Sequence, residues 1–368
     1  MRQTIIDGLN SSVQLEEVLS SVGVKKHLLV CGSSLRFLPI KNNIAELNRP
    51  YASFSGFTPN PLYEDICKGV ELFNASACDA IVAVGGGSAI DVAKCIKLFC
   101  RMDKSTTYLS QEYADSGIPL IAVPTTAGSG SESTKHAVIY YKGKKQSIAH
   151  NSIMPDYAIL DASVLETLPL YQKKCTMLDA LCQGVESWWS VNSTDESRLY
   201  SKTAVELIME NYKDYLSANT RQAGERIMTA ANYAGRAINI TQTTAAHAMS
   251  YMITSMYKLP HGHAVAVCLP DVCGYMVENL DECTDSRGVS YLKNTLADIS
   301  HALGSDCLQG ASRLFKELLI ELDIQYPIMQ TKDDISTLVS AVNPERLKNN
   351  PVRLSSIALT QLYQRIVK

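Results

Sequence analysis

The run Asp79-Ala80-Ile81-Val82-Ala83-Val84-Gly85-Gly86-Gly87-Ser88 passes from an apolar stretch into three glycines and a serine, and a helical pattern starts at once over Ala89–Cys100. An apolar run with no polar alternation suits a strand buried on both faces of a parallel sheet. Two other runs have the same form: His27–Cys31 (HLLVC), ending at Gly32, and Ile118–Val123 (IPLIAV), ending at Pro124-Thr125-Thr126. Helical spacing lies between them at Tyr63–Ser76 and Ala89–Cys100. This alternation predicts a doubly wound α/β domain. A hairpin is expected next, Ala137–Tyr141 with Gln146–Ala149 about a polar Lys142–Lys145 turn, then a short strand at Ala158–Leu160.

Past about Asp161 the pattern changes. Helical periodicity runs through 172–191, 196–216, 220–238 and 245–257 and on to the C-terminus, with few strand signals. The expected organisation is an α/β domain over residues 1–161 followed by an all-α domain over 162–368. A length of 368 residues also exceeds one ordinary core.

Composition excludes several classes. A formal charge of −3 argues against a basic face for nucleic acid. No stretch reaches the roughly 18 apolar residues of a membrane span. Met1-Arg2-Gln3-Thr4 opens no apolar leader. The cysteines are scattered and odd in number, 11 in all, which reads as reduced thiols in a cytoplasmic protein.

The glycine turn carries the first chemistry. Gly85, Gly86, Gly87 and Ser88 lie where a backbone can approach a pyrophosphate at a helix N-terminus; a plain tight turn is the competing reading, and the spaced GxGxxG fingerprint is absent. Asp91 and Lys94 follow one and two turns into the helix, as a structural pair or near the phosphates. Thr125-Thr126-Ala127-Gly128-Ser129-Gly130-Ser131 is a second small, hydroxyl-rich loop, whose Thr125, Thr126 and Ser129 suit a ribose or a nicotinamide amide. The first strand ends at Gly32-Ser33-Ser34, where an acidic residue would hold adenosine ribose hydroxyls and repel a 2′-phosphate. Its absence leaves room for NADP as well as NAD; an ordinary turn is the alternative.

The second chemistry is a candidate divalent-metal site. Asp179 and Gln183 are four apart on one helical face, with His247 and His261 downstream. Imidazole with carboxylate suits Fe²⁺ or Zn²⁺, which would polarise a carbonyl oxygen. A lone histidine is more often structural, so spacing alone leaves both readings open.

Six stretches then carry a family likeness: Asn60-Pro61, VGGGSAIDVAK (84–94), PTTAGSGSE (124–132), MPDYAILD (154–161), DALCQGVES (179–187) and PHGHAVAVCLP (260–270). In order and spacing the chain resembles the iron-containing (group III) alcohol dehydrogenases over nearly its whole length. The resemblance implies a Rossmann-like N-terminal domain, a helical C-terminal domain, NAD(P)H, and a divalent metal, Fe²⁺ before Zn²⁺, held by Asp179, His247 and His261. It also implies frequent dimers or larger assemblies. Two positions depart from the family pattern. Gln183 stands where a metal-ligating His is usual, as an oxygen ligand or as a gap in the ligand set. Tyr251 stands where many relatives carry another His, as a proton relay or as packing.

For the substrate, Arg236 interrupts a small and apolar helix end, and a buried guanidinium needs an anion from the protein or from a ligand. Lys135 is a second cationic candidate. The AGRAINIT…TTAAHAMSY context resembles the phosphonoacetaldehyde reductase branch, implying reduction of phosphonoacetaldehyde to 2-hydroxyethylphosphonate. Other readings share the same plan: a general short-chain alcohol dehydrogenase without anionic specificity, a dehydroquinate-synthase-like lyase, and a non-catalytic NAD(P)-binding relative.

Overall fold

In a computed structural model, which describes residues 3–218 and 220–368, six strands form one parallel sheet and two more a hairpin. In chain order they are β1 (Thr4–Asp7), β2 (His27–Cys31), β3 (Tyr51–Phe54), β4 (Ala80–Gly85), β5 (Leu120–Pro124), the hairpin strands β6 (His136–Tyr141) and β7 (Lys144–Ala149), and β8 (Tyr157–Leu160). The sheet order is β1-β8-β5-β4-β2-β3. The unbroken apolar runs behave as expected: every residue of β2, β4 and β5 is buried, whereas the edge strands β1 and β3 are mixed. Helices α1 (Leu15–Ser21), α2 (Lys41–Ala45), α3 (Tyr63–Ala75) and α4 (Gly87–Phe99) connect them. Ile66, Val70 and Phe73 of α3 and Ile90, Ala93 and Ile96 of α4 share one apolar core with Leu28, Val30, Ile81 and Ala83 of the sheet.

The order of strands positions a ligand site. From β2 the chain moves outward to β3, then returns to β4 on the other side of β2 and continues to β5. The reversal leaves a crevice at the carboxyl ends of β2 and β4, where open α/β sheets bind ligands.

The hairpin differs from its expected form. Its turn occupies two residues, Lys142 and Gly143, not the four of Lys142–Lys145. Both have left-handed backbone (φ 50° and 73°). A two-residue turn of this kind matches the right-handed twist of the strands, so the ladder begins as early as Lys144.

Beyond β8 no further strand occurs among the described residues. The helices are α5 (Leu170–Trp189), α6 (Asp195–Ser217), α7 (Arg221–Thr241), α8 (Ala245–Tyr257), α9 (His261–Glu278), α10 (Val289–Ala302), α11 (Gly310–Glu321), α12 (Asp334–Ala341), α13 (Pro344–Leu347) and α14 (Ser356–Ile366). None of the described helices is long and apolar enough to cross a membrane.

Two compact units result: residues 1–168 with 219–235, and 169–218 with 236–368. The division differs from a single boundary at 161/162, because the first unit keeps the turn Ala162–Leu165 and most of α7. Close packing explains the second part. At Gly235 a Cβ would lie 2.5 Å from the Gly130 carbonyl oxygen, so α7 meets the Gly130 turn through backbone alone. Asn232 then donates to Glu132 Oε1 (3.1 Å) and Ser133 Oγ (2.6 Å). Such contacts between residues a hundred positions apart leave no local periodicity in the sequence.

In the second unit α5 is the central element. Every residue from Met177 to Trp189 is buried. A helix buried all round must satisfy its polar residues internally, and this run carries Asp179, Gln183 and Glu186 on one face.

Candidate functional site

In the first unit, the turn Gly85–Ser88 leaves β4 and enters α4. A Cβ on Gly86 would meet Thr126 Oγ1 at 3.3 Å, and one on Gly87 would meet Ser129 Oγ at 2.9 Å. The glycine turn is thus seated against the hydroxyl loop after β5, and any side chain there would push the two apart. Thr125 N donates to the Gly85 carbonyl (3.0 Å), closing the seam. Gly86 caps α4 without a side-chain acceptor, an arrangement that leaves helix amides for an anion. Pairing of Cys31 with Val84 brings Gly32 and the exposed Ser33 to the same edge of the sheet. Gly32, Ser33, Gly85, Gly86, Gly87, Ser88, Thr125, Thr126 and Ser129 therefore gather at the carboxyl ends of adjacent strands β2, β4 and β5.

Asp91 and Lys94 brace this surface. Asp91 accepts from Ser131 Oγ (2.6 Å) and Val138 N (2.9 Å). Lys94, fully buried, donates to Ser131 Oγ (3.0 Å), Thr134 Oγ1 (3.0 Å) and the His136 carbonyl (2.7 Å). Burial raises the Asp91 carboxyl and pulls the Lys94 ammonium down to about 8. Of the two roles open to this pair, the hydrogen bonds describe the structural one: they tie α4 to the loop and the hairpin. Lys135, half-buried, lies just before β6.

In the second unit, Asp179, His247 and His261 bring ligand atoms within 4.8 Å of one another. Asp179 Oδ1 lies 3.4 Å from His247 Nε2 and 4.0 Å from His261 Nε2. Ligand atoms bound at about 2.1 Å to one tetrahedral ion stand roughly 3.4 Å apart, so the cluster needs only a small contraction. Asp179 Oδ1 and His247 Nε2 are buried and have no hydrogen-bond partner. Buried polar atoms are rarely left so, and two ligand-type atoms converging without donors between them fit a divalent cation.

Each ligand is placed by a distinct local device. Asp179 sits on the buried run of α5. His247 is in the first turn of α8, and its Nδ1 is hydrogen-bonded to Glu186 Oε2. That bond assigns the proton to Nδ1 and turns Nε2 toward Asp179. Glu186 Oε1 accepts from Thr244 Oγ1 (2.7 Å), Ala246 N (2.9 Å), Thr244 N (3.2 Å) and His247 N (3.3 Å). The same carboxylate therefore caps α8 and orients its histidine. Burial disfavours a charged His247 ring; with no cation between them, Glu186 and Asp179 override it and push its pKa up to about 9, so that metal binding displaces a proton from Nε2. Burial would raise the Asp179 carboxyl, yet the neighbouring His247 and His261 rings hold it below the usual value.

His261 begins α9, and the next residue decides how close it comes. A Cβ on Gly262 would lie 1.9 Å from the Cys175 carbonyl oxygen and 2.9 Å from Asp179 Cβ. Only glycine lets the start of α9 lie on α5 beside Asp179. The second histidine of Pro260-His261-Gly262-His263 has a different task. His263 Nδ1 meets Tyr171 Oη (2.7 Å), and its Nε2 lies 2.7 Å from the Gln325 carbonyl, so Nε2 carries the proton and donates.

Gln183, buried one turn after Asp179, hydrogen-bonds the Asp179 carboxylate through its amide. Tyr251 lies parallel to the His261 ring, with centroids 5.6 Å apart and planes 1° from coplanar orientation. Burial raises its phenol above the ordinary tyrosine value, so it holds its proton at neutral pH.

The geometry matches one family across the chain. The model for iron-containing alcohol dehydrogenase matches residues 3–162, and that for the C-terminal part of the Fe-containing alcohol dehydrogenase family matches residues 174–367. The chain is a member of the iron-containing alcohol dehydrogenases. A probable alcohol dehydrogenase, EutG, of Salmonella typhimurium is 36% identical over 58% of this chain and 56% of that protein, so the match spans little more than half of the relative's length. The phosphonoacetaldehyde reductase of Streptomyces viridochromogenes is 30% identical over 78% of this chain and 76% of its own. A crystal structure of a 1,3-propanediol oxidoreductase superposes with a TM-score of 0.89 at 25% identity, covering 99% of this chain and 97% of that one.

The structure gathers Asp179, His247 and His261, the candidates read from the sequence, and adds Glu186, which that reading missed. Its signal was present: an acidic residue three after Gln183 on an otherwise buried helix face. The Arg236 guanidinium lies 5.7 Å from the ring centre of Tyr200, whose hydroxyl donates to Glu196 Oε1 (2.8 Å).

Proposed function

We propose that this chain is a NAD(P)H-dependent, metal-assisted reductase of small aldehydes, and that its substrate is phosphonoacetaldehyde, reduced to 2-hydroxyethylphosphonate. The observation that carries the reading is the buried Asp179–His247–His261 cluster, whose Asp179 Oδ1 and His247 Nε2 are unspent on protein donors. Likeness to the Streptomyces reductase over three-quarters of the chain supports the phosphonate.

When bound, NAD(P)H supplies the hydride, and the divalent ion, Fe²⁺ or Zn²⁺, supplies a Lewis acid at the carbonyl oxygen. The remaining work falls to the protein. Gly86–Ser88 and the first amides of α4 hold the pyrophosphate. Thr125, Thr126 and Ser129 offer hydroxyls to ribose or to the carboxamide. After β2 the exposed Ser33, Ser34 and Arg36 stand where a carboxylate would exclude a 2′-phosphate, so both cofactors are accepted. Asp179, His247 and His261 hold the ion, Glu186 keeps His247 Nε2 available, and Gln183 steadies Asp179. Tyr251 carries a proton at Oη and delivers it to the product oxygen.

The test is oxidation of NADPH and NADH by Fe²⁺-reconstituted protein, with phosphonoacetaldehyde against acetaldehyde and propanal. A tenfold or greater kcat/KM preference for the phosphonate supports the full reading. Equal or better turnover of the neutral aldehydes keeps the reductase and removes the phosphonate. No turnover of any aldehyde by metal-loaded protein removes both.

A further inference from the structure

Arg346, in the short helix α13, was not among the sequence candidates, yet it lies against a tyrosine that faces a metal-site histidine. Its guanidinium lies 5.4 Å from the ring centre of Tyr251, which in turn lies parallel to His261. It is half-buried. Among the described residues, no carboxylate pairs with it and its guanidinium donates no hydrogen bond. Other arginines of this unit are treated differently. Arg198 pairs with Asp195, Arg287 with Asp285 (2.6 Å) and Arg313 with Glu317 (3.9 Å), while Arg353 and Arg365 are exposed. A half-buried guanidinium with no protein anion, lying over the tyrosine that faces His261, is open to an anionic ligand.

The segment that presents Arg346 is also held in place. Asn349 Nδ2 donates to the Thr243 carbonyl (3.1 Å), its Oδ1 accepts from Asn192 (2.9 Å), and its carbonyl accepts from Val191 N (3.1 Å). Thr243 immediately precedes the cap of α8 and hydrogen-bonds Tyr251. The segment that carries Arg346, the tyrosine and the histidines are therefore tied to one framework.

We infer that Arg346, held over the face of the Tyr251 ring, forms an oxyanion subsite beside the metal ligands, which grips the tetrahedral tail, phosphonate or sulfonate, of a short aldehyde. The inference rests on the reductase reading and names the residue that would make it selective for an anion. A guanidinium suits such a group because its fork can meet two oxygens at once. An aldehyde with its phosphonate or sulfonate one carbon from the carbonyl spans about 10 Å from ion to guanidinium, counting a metal–oxygen bond and a charged hydrogen bond at its ends. The two successive ring spacings set an upper limit of that scale on the separation of Arg346 from His261.

The experiment has two arms on metal-loaded protein, wild type and Arg346→Gln, with Arg346→Lys as the conservative variant. The first compares kcat/KM for phosphonoacetaldehyde with that for propanal. The expected result is a fall in their ratio of at least 30-fold in Arg346→Gln and a smaller fall in Arg346→Lys. The second measures binding of ethylphosphonate by calorimetry, which needs no turnover. Its Kd is expected to rise at least tenfold in Arg346→Gln. An unchanged ratio, or ethylphosphonate binding equally to wild type and variant or to neither, overturns the subsite. Failure of the reductase reading is distinct: it appears as no aldehyde turnover in wild type, and the calorimetric arm still decides whether Arg346 binds the anion.

Discussion

Replacing Glu186 with glutamine removes one charge from the interior at nearly constant shape. The carboxylate takes a charged hydrogen bond from His247 Nδ1 and four further bonds from Thr244, Ala246 and His247. A glutamine oxygen can keep the bonds at the start of α8, but the group facing His247 then becomes an N–H donor opposite a ring nitrogen that is itself a donor. The ring must turn or shift its proton to Nε2, the atom the metal needs. Hydrogen bonds to charged groups contribute about 1.5–3 kcal/mol, and loss of a carboxylate behind a ligating histidine typically costs 10–100-fold in metal affinity. The expected outcome is a 10–100-fold weaker Zn²⁺ or Co²⁺ Kd for Glu186→Gln, with most of the fold intact by circular dichroism. Glu186→Ala leaves all five donors without their acceptor and should unfold earlier, by about 3–5 kcal/mol. Calorimetric titration of metal into apoprotein, paired with urea unfolding, separates the two effects. A Glu186→Gln Kd within threefold of wild type would refute the assignment of Glu186 as the group that orients His247.

Gly262→Ala places a Cβ 1.9 Å from the Cys175 carbonyl oxygen. Helix α9 must move off α5, so metal affinity should drop at least tenfold with about 1–3 kcal/mol of lost stability; a wild-type metal Kd in this variant would show that His261 is not placed by that contact. His27 bears on pH. Burial at the start of β2 lowers its pKa to about 4, and neither ring nitrogen has a hydrogen-bond partner. Because the folded value lies below the unfolded one of 6.5, the contribution is complete above about pH 6.5 and is lost as pH falls toward 4, amounting to about 3 kcal/mol. Urea midpoints at pH 7 and pH 4.5 should therefore converge in His27→Phe relative to wild type, and equal acid sensitivity of the two proteins would discount His27.

How much of this was legible depended on the range of the interaction. Strands β2, β4 and β5 were readable because burial on both faces removes every polar residue from a short run. The glycine turn was readable because the close approach of Thr126 and Ser129 leaves no room for a side chain, and this shows locally as consecutive glycines. Asp179, His247 and His261 were found as residue types in a familiar order. The two-residue hairpin turn was overread, since a run of lysines looks the same whether it forms the turn or the start of a strand.

By its sequence alone, this protein was determined to have a parallel α/β part, a helical part, and the residue types of a nucleotide turn and a divalent-metal cluster, because each follows from periodicity or from chemistry concentrated in a few consecutive positions. Only the tertiary structure decided that Glu186 orients His247, that His263 is committed to Tyr171 and Gln325, that Arg236 lies over Tyr200, and that Arg346 stands uncommitted beside Tyr251. Those outcomes depend on which helix faces meet after folding, and contacts between residues tens to a hundred positions apart leave no mark on the local pattern of either partner.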